Sequence, residues 1–502
     1  MEIMISKRYL KIPVSYSGKN VHFTFSEGKK VLYFFDASYT EGAYDTVYYA
    51  DLRMLLGKKV RLTAVAESEE EMMPTLEFCD EPDKPDPDPL RPMVHFTAPS
   101  GWINDPNGLC YYEGTYHLFY QHNPFGRVWG NMHWGHAVSS DLLHWESCEE
   151  ALLSDGDGVI YSGAALVDHD NISGLKEGGE APILFYYTRV GKVSDQCLAV
   201  SNDGGKTLKK YEGNPVIPYI SADNRDPKPI YDEERKRYLM ALYMEESTYA
   251  LFESQNLLEW EMLQSFELPE DNECPDLYPL KAEDGNVYWI LSGAHDRYEV
   301  GIFNEEGLYC PVQETGQLSY DSQSYAAQTF FYEKDRPVIR FGWDRSEIPD
   351  RPYAGAMCFP AQMGLKQIEG RYYLTACPLR DCEDIVEKRY DQAGKSAFVL
   401  PLSQKAYYME IDAGDTSYEM KFFGLTLRAD KTGVFCKEVF LPRIGEENRL
   451  QIISDTFSTE LYLNGVSVSV VAHMADYGDN ELSIQAEREL KKICVKELKT
   501  VW

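Results

Sequence analysis

No run of apolar residues in this 502-residue chain is long enough to cross a bilayer as a helix. The first 15 residues also lack the continuous apolar stretch and small-residue cleavage site of a secretory leader. The reading is a cytoplasmic protein, with a secreted form left open for a chain whose leader has been removed. Positive charge is scarce: 49 Lys and Arg stand against 81 Asp and Glu, for a net charge of −32. No basic cluster reverses that sign locally, so neither nucleic acid nor an anionic membrane is expected as a partner. The 11 cysteines are an odd number, scattered and without metal-ligand spacing; Cys377 and Cys382 are the nearest pair, and reduced thiols are expected. Amphipathic helical patterns are few, which argues against alternating strands and helices around a parallel sheet. Aromatics are plentiful by contrast, with 36 Tyr against 22 Phe, a bias that β-rich folding and sugar binding both produce.

The length implies several domains, and the patterning divides them. Residues 9–66 alternate with period two, as in Val21-His22-Phe23-Thr24-Phe25, so residues 1–82 read as a small β-sandwich. Repeated prolines and carboxylates over residues 83–90 forbid a central strand and read as an extended linker. From 91 to 380, short aromatic strands recur at 116–120, 183–187, 238–243, 287–291 and 338–341, a rhythm that suits the blades of a propeller. Alternation returns over 392–502, where Asn464-Gly465 signals a two-residue hairpin, and a second β-sandwich is expected. The fold class is all-β.

Three segments combine an acid with a stiffening proline. Trp102-Ile103-Asn104-Asp105-Pro106-Asn107-Gly108 reads as a tight turn that holds Asp105 on a rigid support. Arg225-Asp226-Pro227-Lys228 and Glu273-Cys274-Pro275-Asp276 each precede an aromatic strand. Taken singly, each acid is explained as a turn or a solvated face. In a propeller, however, the entrances of the innermost strands converge on one mouth of the central channel, which would gather Asp105, Asp226 and Glu273.

This ordered set resembles glycoside hydrolase family 32, the β-fructofuranosidases. The resemblance continues through His95-Phe96, Tyr116-His117-Leu118-Phe119-Tyr120-Gln121, Trp129-Gly130-Asn131, Trp134-Gly135-His136, Tyr161-Ser162-Gly163, Tyr325-Ala326-Ala327-Gln328 and Gly342-Trp343. It implies a five-bladed propeller followed by a sandwich, and retaining cleavage of terminal β-D-fructofuranosyl bonds. It assigns Asp105 as nucleophile, Glu273 as acid and base, and Asp226 as a holder of sugar hydroxyls. Retaining glycosidases place their two carboxyls about 5 to 5.5 Å apart and keep one protonated while the other is ionised; a raised Glu273 and an ionised Asp105 are therefore expected.

By the same resemblance Asn104, Gln121, Trp129, Trp134, Tyr161, Ser162, Arg225 and Trp343 line the subsite for the terminal fructose. The family implies no metal and no cofactor, and His133, His136 and His144 fit no carboxylate-histidine pattern. The expected partner is a small or oligosaccharide fructoside: sucrose, fructo-oligosaccharides, levan or inulin. The sequence leaves open sucrose 6-phosphate hydrolysis, with Arg127 as a nearby cation, fructosyl transfer, and a non-catalytic fructan-binding protein. Asn272 stands where many members carry tryptophan, and Phe359-Pro360-Ala361-Gln362-Met363 departs from the family pattern at the expected module interface. The module at 1–82 lies outside the family pattern; shaping the cleft, docking a second subunit as a homodimer and binding polymer all stay open for it.

Overall fold

The computed structural model describes residues 1–69, 71–84, 87–331, 336–379, 383–475 and 480–502. Pro85 and Asp86 of the linker, and Cys382, lie outside the described residues. Within them the chain is all-β, with two short 3₁₀ turns, Arg53–Leu55 and Glu383–Ile385.

Period-two alternation builds the N-terminal module. In the strand Val21–Glu27, Val21, Phe23 and Phe25 are buried and His22 is exposed. This strand pairs with Lys30–Ala37 and Lys59–Ala66 in a five-stranded sheet, beside a three-stranded sheet of Thr46–Asp51, Tyr9–Val14 and Glu77–Cys79. The core between them includes Phe23, Phe25, Tyr33, Phe35 and Tyr48, and also Phe125 from beyond the linker. The linker is docked: the Tyr353 hydroxyl donates to Asp88 at 2.7 Å, and Arg91 lies 4.0 Å over the Tyr353 ring.

Five four- or five-stranded sheets follow as blades, antiparallel except where Tyr353–Ala354 pairs parallel to the inner strand of the first. Their first strands, Gly101–Tyr112, Val159–Val167, Arg225–Asp232, Asp276–Lys281 and Ser324–Thr329, touch one another in order, and the last touches the first, which closes the propeller. The five aromatic segments that recur in the sequence fall in the second strand of each blade, from Thr115–Asn123 to Ile339–Asp344. They recur because each second strand is buried on both faces between neighbouring blades.

The segment 102–108 is not a turn. It lies inside the 12-residue strand Gly101–Tyr112, whose pairing with Thr115–Asn123 slips twice, once between His117 and Phe119 and once between Tyr120 and His122. Each slip inserts one extra residue on the inner strand, so the turn-forming residues are used as β-bulges. Gly108 has φ +53°, and a side chain there would press on Phe119 and Trp134.

The C-terminal sandwich stacks two six-stranded sheets around Tyr407, Met420, Phe422, Leu461 and Ile493. Its sheet begins before residue 392, with Val386–Gln392 paired to Lys492–Leu498; that strand is mostly exposed and charged, so it carries little alternation. Asn464 and Gly465 both take positive φ, but pairing starts at Leu463 and Ser467, so the connection has three residues where two were expected.

The sandwich is fixed to the propeller by a buried ionic cluster. Asp455 accepts from the backbone N–H of Met93 and Val94 and from His95 Nδ1 at 3.0 Å, while Glu460 accepts from His95 Nε2 at 2.9 Å and from the Phe359 N–H at 2.6 Å. A histidine that donates through both nitrogens is an imidazolium. Burial opposes that charge, but the two carboxylates outweigh it and push His95 up to about 10.

Candidate active site

Every blade contributes to the mouth from the start of its inner strand or from the residues just before it. The first supplies Asn104 and Asp105, the second Tyr161 and Ser162, the third Arg225 and Asp226, the approach to the fourth Glu273 and Cys274, and the fifth Tyr325. In four of the five, the register of the inner strand slips at these residues: at the second position noted above, opposite Tyr120 and His122, between Ile160 and Gly163, between Arg225 and Lys228, and between Tyr325 and Gln328. Asp226, Glu273, Cys274 and Ala326 take φ of +64°, +53°, +41° and +49°, a conformation unfavourable for side chains with a Cβ. Bulges and strain thus turn side chains toward the channel that a regular strand would aim into the blade.

The three acids are linked by short contacts. Ser162 Oγ donates to Asp105 Oδ2 at 2.5 Å, and the Cys274 N–H donates to Asp226 Oδ2 at 2.9 Å. The Cys274 thiol lies 3.5 Å from both Asp105 Oδ2 and Asp226 Oδ2, so one sulfur bridges the two carboxylates. Glu273 receives Arg225 Nη2 at 2.6 Å and the Tyr325 hydroxyl at 2.5 Å. Beneath them a buried pair, Lys228 and Asp276 at 3.0 Å, with Lys228 also donating to the Thr329 carbonyl at 2.6 Å, ties the third, fourth and fifth blades together.

Electrostatics separates the acids in an unexpected order. Burial pushes Asp105 up to about 6, against the Ser162 hydrogen bond and with help from the Glu273 charge. Burial pushes Asp226 up to about 7; Arg225 opposes this, and Asp105 and Glu273 reinforce it. Glu273 is also raised by burial, but the hydrogen bonds from Tyr325 and Arg225 and the Arg225 charge prevail and hold it below the usual glutamate value. The expected order is therefore reversed: Asp105 is the acid that is raised and Glu273 the one that is lowered. The cause is that both strong donors at the mouth point at Glu273.

The expected binding residues divide. Gln121 faces the bulge that carries Asn104 and Asp105, and Trp343 meets Trp102 edge-on at 5.4 Å and Tyr325 at 6.2 Å. Asn104 Oδ1, Gln121 Nε2, Trp102 Nε1 and Trp343 Nε1 are all buried without a partner among the described residues. A buried polar group without a partner is costly, and so many around one mouth mark a place built for a hydroxyl-rich ligand. Trp129 is 58% exposed and meets Tyr161 edge-on at 5.9 Å.

Trp134 is a correction. It is fully buried among Phe119, Phe185 and Tyr187, and its Nε1 donates to the Tyr161 carbonyl at 3.0 Å, so it supports the site from the core and offers no face to a sugar. The Ser162 hydroxyl and much of Arg225 are already committed to the acids.

Sequence reasoning passed over Cys274, Tyr325, Trp102 and Lys228 as site residues. All four stand inside the quoted motifs, so their proximity to the acids in sequence was the available signal. Arg127 is occupied, stacking 4.6 Å over Tyr16 and donating to the Ile348 carbonyl at 2.7 Å. Among the described residues no group of three or more His, Cys, Asp or Glu is placed to hold a metal. His133 bonds the Asn131 carbonyl, His136 stacks on Phe119, and His144 pairs with Asp141.

Together these features define a class, the five-bladed β-propeller with a carboxylate-lined mouth and a β-sandwich packed against it. Residues 95–376, more than half of the chain, match the Glycosyl hydrolases family 32 N-terminal domain, and the chain belongs to that family. A levanase of Bacillus subtilis is 36% identical over 326 residues, which is 59% of this chain but only 48% of the relative; the chain thus matches about half the length of that protein. A levanbiose-producing levanase of the same organism is 30% identical over 375 residues, covering 69% of this chain and 71% of the relative. The crystal structure of an exo-inulinase from Aspergillus awamori superposes with a TM-score of 0.76 at 23% identity, over 83% of this chain and 99% of that one, a likeness of fold.

Proposed function

We propose that the protein is a retaining glycoside hydrolase that releases terminal, non-reducing β-D-fructofuranosyl residues from sucrose, fructo-oligosaccharides or fructans. The observation that carries this reading is the mouth itself. Two carboxylates raised chiefly by burial face a third that is held by an arginine and a tyrosine, and unpaired polar groups surround them. Binding alone would require no acid-base pair.

Asp105 attacks the anomeric carbon of the fructosyl unit while Glu273 donates its proton to the departing glycosidic oxygen. Glu273 then takes a proton from water, the resulting hydroxide attacks the same carbon, and the Asp105 carboxylate is released. Asp226 accepts hydroxyl hydrogens of the sugar. The productive form holds one proton on the Asp105–Glu273 pair, placed on Glu273. Burial raises Asp105 while Arg225 and Tyr325 lower Glu273, so the productive form needs those two donors drawn away from the Glu273 carboxylate. Sugar hydroxyls that engage Arg225 and Tyr325 weaken the two interactions that favour the Glu273 carboxylate, and closure around the sugar desolvates it further.

Levan, inulin and sucrose are the substrates we assign, a reading supported by relatives named levanase, extracellular exo-inulinase and invertase. A panel of sucrose, sucrose 6-phosphate, kestose, inulin and levan, with products followed by chromatography and NMR, tests the reading. Free fructose released with retained configuration is expected; inverted product or no turnover on any of the five would defeat it. A phosphate requirement is disfavoured by the occupied state of Arg127, and predominant transfer to a second sugar would replace the hydrolase assignment.

A further inference from the structure

The strand Lys30–Ala37 is the edge of the five-stranded N-terminal sheet, with one side paired only to Val21–Glu27. An edge presents unpaired N–H and C=O groups, and here propeller loops take them up. The Asp36 N–H donates to Asn131 Oδ1 at 2.8 Å, Asn131 Nδ2 donates to the Asp36 carbonyl at 2.8 Å, and the Gly156 N–H donates to the Leu32 carbonyl at 3.1 Å. Phe35 of the same strand stacks on Phe125 at 4.3 Å, and Tyr33 reaches His133 at 3.3 Å.

Apart from His133, the first residue of the strand His133–Ser139, these contacts fall on two loops, one carrying Phe125 and Asn131 and the other Gly156. Between Phe125 and Asn131 the chain arches outward to an exposed tip, with Val128 67% and Trp129 58% exposed. Asn123 spans the arch, accepting from the Phe125 N–H at 3.0 Å and from Asn131 Nδ2 at 3.0 Å and donating to the Val128 carbonyl at 2.8 Å. Gly156 lies three residues before the strand Val159–Val167, which carries Tyr161, the ring that Trp129 meets. A large apolar side chain held out in water on a loop needs its feet fixed if it is to offer one surface to a ligand. Both feet are fixed by the N-terminal module, which lies outside the family-matched residues.

We infer that the N-terminal module is a positioning element for substrate binding: its edge strand splints the two loops that set the Trp129–Tyr161 wall, with Asn131 as the principal positioning residue. The role rests on the proposed fructosidase reading. Loosening the splint spreads the wall over many orientations, which weakens sugar binding without touching the acids that carry the chemistry.

The experiment compares wild type with Asn131→Gly, which tolerates the φ of +46° at that position but removes all three side-chain hydrogen bonds, two to Asp36 and one to Asn123, and with Phe35→Leu, which keeps Asn131 intact and removes only the aromatic stack. Glu149→Gln, at an exposed ion pair with Arg8 in the same interface, is the control. Steady-state kinetics on kestose are read beside hydrogen exchange of the amides in 124–131, a readout that needs no activity. Asn131→Gly is expected to raise KM about 5- to 10-fold with kcat within about 2-fold. It should also speed exchange in 124–131 by about 10-fold or more, with Phe35→Leu in the same direction and Glu149→Gln like wild type. Unchanged exchange overturns the splint, as does faster exchange with KM unaltered or a fall in kcat at constant KM. If wild type turns over none of the five fructosides, the functional reading fails separately, and exchange alone then decides whether the module holds the loop.

Discussion

Two clusters of buried carboxylates, one at the sandwich interface and one at the mouth of the propeller, are arranged for opposite ends. At the sandwich interface Asp455 and Glu460 are 1% and 2% exposed, and the donors that meet them include backbone N–H groups and a charged histidine. At the mouth Asp105 and Asp226 are nearly as buried, 9% and 6% exposed, yet they share a serine, a thiol and a backbone N–H, with Arg225 turned mainly to Glu273. The first arrangement holds Asp455 below its usual range; the second lifts Asp105 and Asp226 well above theirs. Burial therefore does not distinguish a site from a staple. Unspent hydrogen-bonding capacity does, and the partnerless groups around the mouth belong to the same pattern.

The contrast predicts opposite responses to removal of one member. The largest effect is expected from Asp105→Asn and Glu273→Gln, each lowering kcat by at least about 10³-fold. Asp105→Asn should leave the melting temperature unchanged or higher. An acid raised in the folded state opposes folding when charged, a penalty that grows as pH rises above the ordinary value of 3.8 and is complete above about 6, so asparagine removes it at neutral pH. A fall in melting temperature would show that the mouth is a staple after all.

His95→Ala is the mirror case, because it leaves two buried carboxylates without their cation. A loss of about 3 to 5 kcal/mol at neutral pH is expected from denaturant midpoints. The histidine is raised when folded, so its contribution is full below 6.5 and lost as pH climbs through about 10. The gap between wild type and variant should narrow over that range; a gap independent of pH would remove the imidazolium from the account.

A smaller effect separates the acids within the mouth. Tyr325→Phe withdraws a donor that favours the Glu273 carboxylate, so the Glu273 pKa rises. The single-proton form of the pair lies between the lowered Glu273 and Asp105 at about 6, so kcat/KM should peak on the acid side of neutrality. In the variant the acid limb of that profile moves to higher pH. An unmoved limb would detach it from Glu273.

Much of this was legible along the chain because the relevant preferences are local. Alternation marked Val21–Glu27, and the repeated aromatic strands marked the blades, since each second strand is packed on both faces. Proline beside an acid marked Asp105, Asp226 and Glu273 because a stiff backbone is needed wherever a carboxylate must be aimed. The misreadings have a common origin. Trp134 looked like a sugar wall because an indole in a core and one in a cleft are the same residue; only the closing of Phe119, Phe185 and Tyr187 around it decides. The segment 102–108 read as a turn because a bulge exists only relative to a partner strand. His95 and Asp455 are 360 residues apart, and no local pattern announces their meeting.

The amino-acid sequence by itself determined the all-β class, the rhythm of the blades and which three acids stand on stiffened backbone, since side-chain period and φ preference act over a few residues. Only the tertiary structure decided which acids burial raises and which one Arg225 and Tyr325 lower, that Tyr325 and Cys274 join the site, and that an N-terminal edge strand braces the loop of Trp129. Those outcomes depend on distances through space and on the removal of water, and both arise only when all five blades have closed.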